Sequence, residues 1–253
     1  MGCCVCGQRG RMHYDFPDVR LRKEHGIGLL RETLCCRSCG ASMRDRQMAF
    51  GLLQVIAERT GQTESNLQAF RQSPRAELRI LDTDSFGAVS RALRGWPGYV
   101  HSQFKPDLAR GQKLPDGSIN VNLMDMPFGA EDFDVIMTSD VMEHVAEDDQ
   151  AHREIYRCLA PRGTYVFTVP YDPCLLGTRQ LTQATGVPDV RFELDRHVHG
   201  DPHSSAGIVA HRIYGQQLLA DLSGIGYEVR FECLERPAQG IFGGDLFLAR
   251  KRS

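Results

Sequence analysis

The chain has 253 residues, 42% of them hydrophobic and 25% charged, and a formal net charge of −2. This is enough chain for one sizeable core with a small appendage, and nothing in the composition points to disorder. Acids and bases are interspersed, which removes any general electrostatic reason to expect nucleic acid or anionic lipid as a partner, and no apolar run reaches the roughly 18 residues of a membrane span.

At the N-terminus there is no apolar core of a secretory signal, so a cytoplasmic location is expected. Met1-Gly2-Cys3-Cys4 invites a lipidation reading, but Cys6 stands where a myristoylation signal requires Ser or Thr. The cysteines have a better use. Cys3/Cys6 and Cys36/Cys39 form two Cys-x-x-Cys units, each followed by glycine. A thiolate pair at this spacing chelates one metal from a tight turn, and two such knuckles complete a tetrahedral zinc site. Four thiolates leave no open position for an activated water, so the expected zinc is structural, closing an N-terminal lobe too small to bury its own core. Disulfides are the competing use, although nothing indicates an oxidising compartment. Cys4 and Cys35, adjacent to ligands, are either alternative ligands or bystanders.

Residues Met43 to Glu58 carry apolar side chains at helical spacing, and the Gly61 to Asn66 stretch ends that helix. Ser73-Pro74-Arg75 marks a boundary, so the chain divides into 1–74, a zinc-binding lobe with its helix, and 75–253, the main domain. From there strand and helix signals alternate as in a doubly wound α/β sheet. Strands are expected at Leu78–Asp82, Tyr99–Ser102, Ile119–Asn122, Asp134–Thr138 and Thr164–Val169, with helices at Ala88–Arg94 and Asp148–Leu159. The tail adds a helix at Tyr214–Leu222 and strands at Tyr227–Cys233 and Asp245–Ala249. Ligands of such sheets bind outside the carboxyl ends of the strands, where Asp82, Gln103, Asn122 and Ser139 fall.

The run Phe133 to Val145, with Val141-Met142-Glu143-His144 at its end, and the run Leu159 to Pro170 resemble the fourth and fifth strand regions of class I S-adenosylmethionine-dependent methyltransferases. With the Cys-x-x-Cys-Gly knuckles, Arg44-Asp45-Arg46, Asp125-Met126-Pro127-Phe128, Pro161-Arg162-Gly163, His199-Gly200-Asp201-Pro202 and Arg212-Ile213-Tyr214-Gly215, the similarity is to the type 11 group and covers nearly the whole chain. The resemblance implies a Rossmann-like sheet and S-adenosylmethionine as cofactor. By position it implies cofactor contacts from Asp82, Thr83, Asp84, Gln103, Asn122, Leu123 and Ser139.

Three positions depart from the family pattern. Asp82-Thr83-Asp84-Ser85-Phe86-Gly87 holds one glycine where the family has several, Gln103 replaces an acid that grips the ribose hydroxyls, and Asn122 replaces the carboxylate that reads adenine. Gln and Asn retain one acceptor oxygen each.

Methyl transfer is an in-line displacement, so the protein aligns the acceptor and, for O or N acceptors, removes a proton. His144 just beyond strand four is a candidate base, or else caps the following helix or packs under the cofactor. The resemblance implies that an insertion over about 171–213 covers the acceptor and that His197 or His199 contacts substrate or acts as base. His203, His211, Glu193, Asp195 and Asp201 lie nearby, without a recognised metal spacing. The expected function is methylation of a small molecule, such as a sugar or specialised metabolite. The alternatives are a degenerate methyltransferase-fold scaffold and a non-methylating use of S-adenosylmethionine.

Overall fold

The computed structural model describes residues 1–10, 12–14, 30–73, 77–181, 198–201 and 204–253. In chain order these form β1 (Met12–Tyr14), α1 (Leu30–Thr33), β2 (Leu34–Cys36), α2 (Met43–Thr60), α3 (Leu67–Gln72), β3 (Ile80–Asp82), α4 (Ala88–Leu93), β4 (Tyr99–Gln103), β5 (Ile119–Asn120) and β6 (Phe133–Ser139). After a 3-10 turn at Met142–His144 come α5 (Asp148–Cys158), β7 (Leu159–Thr168), β8 (Arg179–Gln180), β9 (Val198–Asp201), β10 (Ser204–Val209) and β11 (Arg212–Ile213). The chain ends with α6 (Gln217–Ile225), β12 (Tyr227–Cys233) and β13 (Asp245–Lys251).

Seven strands build one sheet in the order β12-β13-β7-β6-β3-β4-β5. The five from β7 to β5 run parallel, and β13 enters antiparallel to both β7 and β12. This is the expected doubly wound α/β sheet, with one inverted strand that the tail's apolar pattern does not reveal. The order reverses between β3 and β6, because the chain builds outward through β4 and β5 and then crosses back to the other side of β3. A crevice at the carboxyl ends is expected there.

Alternate residues of the central strands bury on opposite faces. Val135 and Met137 join one apolar cluster with residues of α2, α3 and α4, while Ile136 joins the other with residues of α5 and α6. Side-chain alternation along a strand produces this split, and burial on both faces explains the continuous apolar runs in the sequence.

Helix α2 begins with a capping box, in which the Ser42 hydroxyl accepts from Asp45 N–H and Asp45 accepts from Ser42 N–H, and it ends at left-handed Gly61. Its Gly51 lies so close to the sheet that a Cβ would stand 2.8 Å from Leu246. The boundary expected near residue 75 falls in 74–76, outside the described residues.

Candidate functional site

The two knuckles meet as a pair of matching turns. Gly7 N–H donates to Cys3 O at 2.8 Å and Gly40 N–H to Cys36 O at 2.9 Å, and both glycines are left-handed, at φ 74° and 73°. The β1–β2 pairing carries the second knuckle beside the first. Cys3 Sγ lies 3.8 Å from Cys39 Sγ, Cys6 Sγ lies 3.8 Å from Cys36 Sγ, and all four sulfurs fall within 4.8 Å of one another. A tetrahedron of zinc–sulfur bonds of about 2.3 Å has edges of about 3.8 Å, so the donor set fits zinc.

None of the nine cysteines is paired in a disulfide. Cys4 and Cys35 stand outside the cluster: Cys4 Sγ donates to Arg46 O at 3.1 Å, and Cys35 Sγ faces Glu32 O at 3.7 Å. Burial pushes the Cys4 thiol up to about 12, which suits a thiol rather than a metal-binding thiolate.

At the reversal point of the sheet, Asp82 closes β3. It is buried, its Oδ2 accepts from Tyr99 Oη at 2.8 Å, and its Oδ1 accepts from Asp84 N–H at 3.0 Å. Burial, with the neighbouring Asp84 charge, raises it to about 8. Thr83 Oγ1 is buried with no protein partner among the described residues. Asp84 Oδ1 accepts from both Phe86 N–H and Gly87 N–H at 2.8 Å. At Gly87 a Cβ would stand 2.2 Å from Asp84 Oδ2 and 2.9 Å from Asp45 Oδ1, so two carboxylates fill the space that further glycines leave open in the family pattern.

Gln103, at the end of β4, is buried and commits its amide as donor to Ser118 Oγ at 2.7 Å and Asp116 Oδ2 at 3.1 Å. Its carbonyl oxygen is the group suited to a ribose hydroxyl. Asn122 Oδ1 accepts from Met124 N–H at 3.0 Å, a local turn that leaves one lone pair, and Leu123 N–H has no protein acceptor among the described residues. Ser139 Oγ lies 3.4 Å from Thr168 Oγ1. Asp82, Gln103, Asn122 and Ser139 thus stand at or just beyond the ends of four adjacent strands. The orphaned Thr83 hydroxyl and the Leu123 N–H fit a polar ligand laid across them.

Sequence reasoning passed over the groups beyond β6. Asp140 has φ 50°, a left-handed conformation that Asp tolerates better than most residues, and its N–H donates to Thr168 O at 3.0 Å. Its carboxylate accepts from both terminal nitrogens of Arg31, from Thr168 Oγ1 at 3.0 Å, and lies 3.6 Å from Arg44 Nη1. Burial opposes its ionisation, but the two arginines hold it below the usual carboxylate range. Glu143 is wholly buried, and neither carboxylate oxygen has a hydrogen-bond partner among the described residues. Burial, reinforced by Asp140, raises it to about 8. The acid in Val141-Met142-Glu143-His144 was the signal that could have found it.

His144 Nδ1 donates to Val209 O at 2.7 Å, which makes Nε2 the basic nitrogen of the neutral ring, 3.7 Å from Glu143 Oε1. His199 lies in β9, registered with Ile208 of β10. His197, Glu193, Asp195 and His203 lie outside the described residues.

Residues 102–167 match a methyltransferase-domain family. The matched segment runs from the end of β4 through β7 and contains Gln103, Asn122, Leu123, Ser139, Asp140, Glu143 and His144. Among solved structures, the (4+2)-cyclase SpnF is 18% identical, with 96% of this chain and 99% of that one covered at a TM-score of 0.46. An S-adenosylmethionine-dependent methyltransferase of Mesorhizobium loti is 19% identical, with 73% and 95% covered at 0.43. Likeness at that level carries no functional argument. No curated protein matched the chain.

Proposed function

We propose that the chain transfers a methyl group from S-adenosylmethionine to a small-molecule acceptor, such as a sugar or specialised metabolite. The observation that carries this reading is the methyltransferase-domain match over 102–167, which coincides with the polar residues at the carboxyl ends of β4, β5 and β6. When bound, the cofactor supplies an electrophilic methyl group on a sulfonium sulfur.

This chain's own residues orient and deprotonate. Gln103 and Asn122 offer acceptor oxygens to the ribose and adenine, Leu123 N–H serves an adenine ring nitrogen, and Asp82, Thr83, Asp84 and Ser139 line the path between β3 and β6. His144 Nε2 takes the acceptor proton, in the tautomer fixed by Val209 O. The family resemblance adds His197 or His199 of the insertion as a group that contacts the acceptor or acts as base. In the same reading Cys3, Cys6, Cys36 and Cys39 hold a structural zinc that orders the N-terminal lobe.

A second reading, a scaffold that has lost turnover, is favoured by the two carboxylates packed against Gly87. Calorimetry of S-adenosylmethionine and S-adenosylhomocysteine on zinc-loaded protein separates the two. Micromolar binding is expected, followed by an acceptor screen for S-adenosylhomocysteine release. No binding up to millimolar cofactor sinks the enzyme reading and leaves the scaffold; tight binding with no turnover on any acceptor leaves a non-methylating use.

A further inference from the structure

The charged groups that stand over the reversal of the sheet come largely from outside the sheet. Helix α2 starts at Met43, four residues after Cys39, and its first turn reaches Asp140, just beyond β6, through Arg44 and the start of α4 through Asp45. Asp45 Oδ1 accepts from Ala88 N–H at 3.0 Å, which ties that turn to the segment following β3. Arg91 Nη2 donates to Cys39 O at 3.3 Å, which ties the knuckle to α4. On the other side Arg31 grips Asp140 with both terminal nitrogens, beyond the end of β6.

Between these anchors sits Arg44. Its Nη2 lies 3.0 Å from Glu32 Oε2 and its Nη1 3.6 Å from Asp140 Oδ2. Burial alone would lower the guanidinium, but Glu32, Asp140, Asp45 and Asp84 together raise it. Arg31 and Arg44 differ in availability. Arg31 is committed to a partly buried carboxylate by paired bonds, the strong arrangement for an arginine. Arg44 pairs most closely with Glu32, whose side chain is 45% exposed, and an exchangeable surface pair of that kind contributes little. A guanidinium with a weak partner, over the crevice of a doubly wound sheet, is suited to taking a ligand carboxylate in its place. Asp84 is bonded through Oδ1 to two backbone N–H groups, and its Oδ2, beside Gly87, accepts no hydrogen bond among the described residues.

We propose that the cysteine-knuckle lobe is half of the cofactor site, with Arg44 binding the carboxylate and Asp84 the ammonium of the cofactor's amino-acid end. Arg31 acts as a positioning residue that keeps Asp140 in place. The proposal rests on the methyltransferase reading and extends it, because it gives the zinc site a role in cofactor affinity as well as in stability.

The test is calorimetry with two probes, S-adenosylhomocysteine and 5′-methylthioadenosine, which keeps the adenosine and thioether and lacks the amino acid. In Arg44→Gln the first loses 10- to 100-fold in affinity and the second is unchanged, and Arg44→Lys recovers part of the loss. Glu32→Gln, which frees Arg44, tightens S-adenosylhomocysteine several-fold and leaves methylthioadenosine alone, giving a readout that does not depend on Arg44→Gln folding well. Equal losses for both probes in Arg44→Gln, or no change for either in both variants, overturns the assignment of Arg44. A wild-type protein that binds neither probe removes the methyltransferase reading and this proposal together.

Discussion

Glu143 and His144 are adjacent in sequence, and the fold sets them different tasks. Glu143 is held near 8 by burial, with an unfolded value of about 4.3. Between those limits the folded state keeps a proton that the unfolded state has released. Its contribution to stability is therefore fully present near pH 4 and is lost as pH rises through 8, at up to about 1.4 kcal/mol per unit. Glu143→Gln removes the titration, so the stability of the variant relative to wild type is expected to rise by a few kcal/mol from pH 5 to pH 8.5, read from urea midpoints at the two values. Asp82 titrates in the same window in both proteins, and the difference between them isolates Glu143. Parallel pH profiles would show that Glu143 is ionised in the fold. For His144, the proposed base, His144→Ala should lower turnover about 100-fold or more while leaving cofactor affinity within a few-fold. Equal losses in both would assign it to packing.

At the scale of elements, Arg46 on α2 deserves comparison with the cysteines, because it joins pieces far apart in the chain. It is fully buried and donates to Ala41 O at 2.5 Å, Leu34 O at 3.0 Å and Gly240 O at 2.9 Å. Arg46→Met keeps the volume but takes one donor from each of three buried carbonyls, of which Ala41 O keeps Cys36 N–H, for a loss on the order of 3 kcal/mol or more, measurable by urea unfolding at constant zinc content. A loss under 1 kcal/mol would mean that water replaces the guanidinium.

Such long-range ties are what the sequence conceals. Strands with continuous apolar runs, such as Phe133–Ser139, and the helix Met43–Thr60 with its Ser42 and Gly61 ends, were legible because local pattern specifies them. β7 begins at Leu159, five residues before the expected Thr164, and passes through left-handed Arg162, which reads locally as a turn. The four cysteines were legible from spacing alone. Arg31, Arg44 and Asp140 were not, since their meeting depends on how α1 and the first turn of α2 pack beside the end of β6, which no local pattern encodes. No helix among the described residues is long and apolar enough to cross a membrane, in line with the hydropathy of the sequence.

At the scale of the molecule, the knuckle lobe and the sheet share one core. Cys3, Cys4, Val5 and Cys36 belong to the same apolar cluster as Leu52 and Ile56 of α2, Val135 and Met137 of β6, and Leu246 and Leu248 of β13. A lobe that buries its thiols against the sheet cannot unfold without exposing the face that α2 covers, so metal loss should be felt beyond the lobe. Cys36→Ser is expected to release zinc and to lower stability by several kcal/mol, since ligand binding energy to such a site is folding energy. Heating the zinc-loaded wild type should give one cooperative transition, and the variant should show a lower midpoint for the sheet as well as for the lobe. Unchanged zinc content in Cys36→Ser sinks the metal assignment. Zinc loss with an unmoved midpoint for the sheet would keep the metal but make the lobe a separate cooperative unit, whose shared cluster contributes little to the main domain.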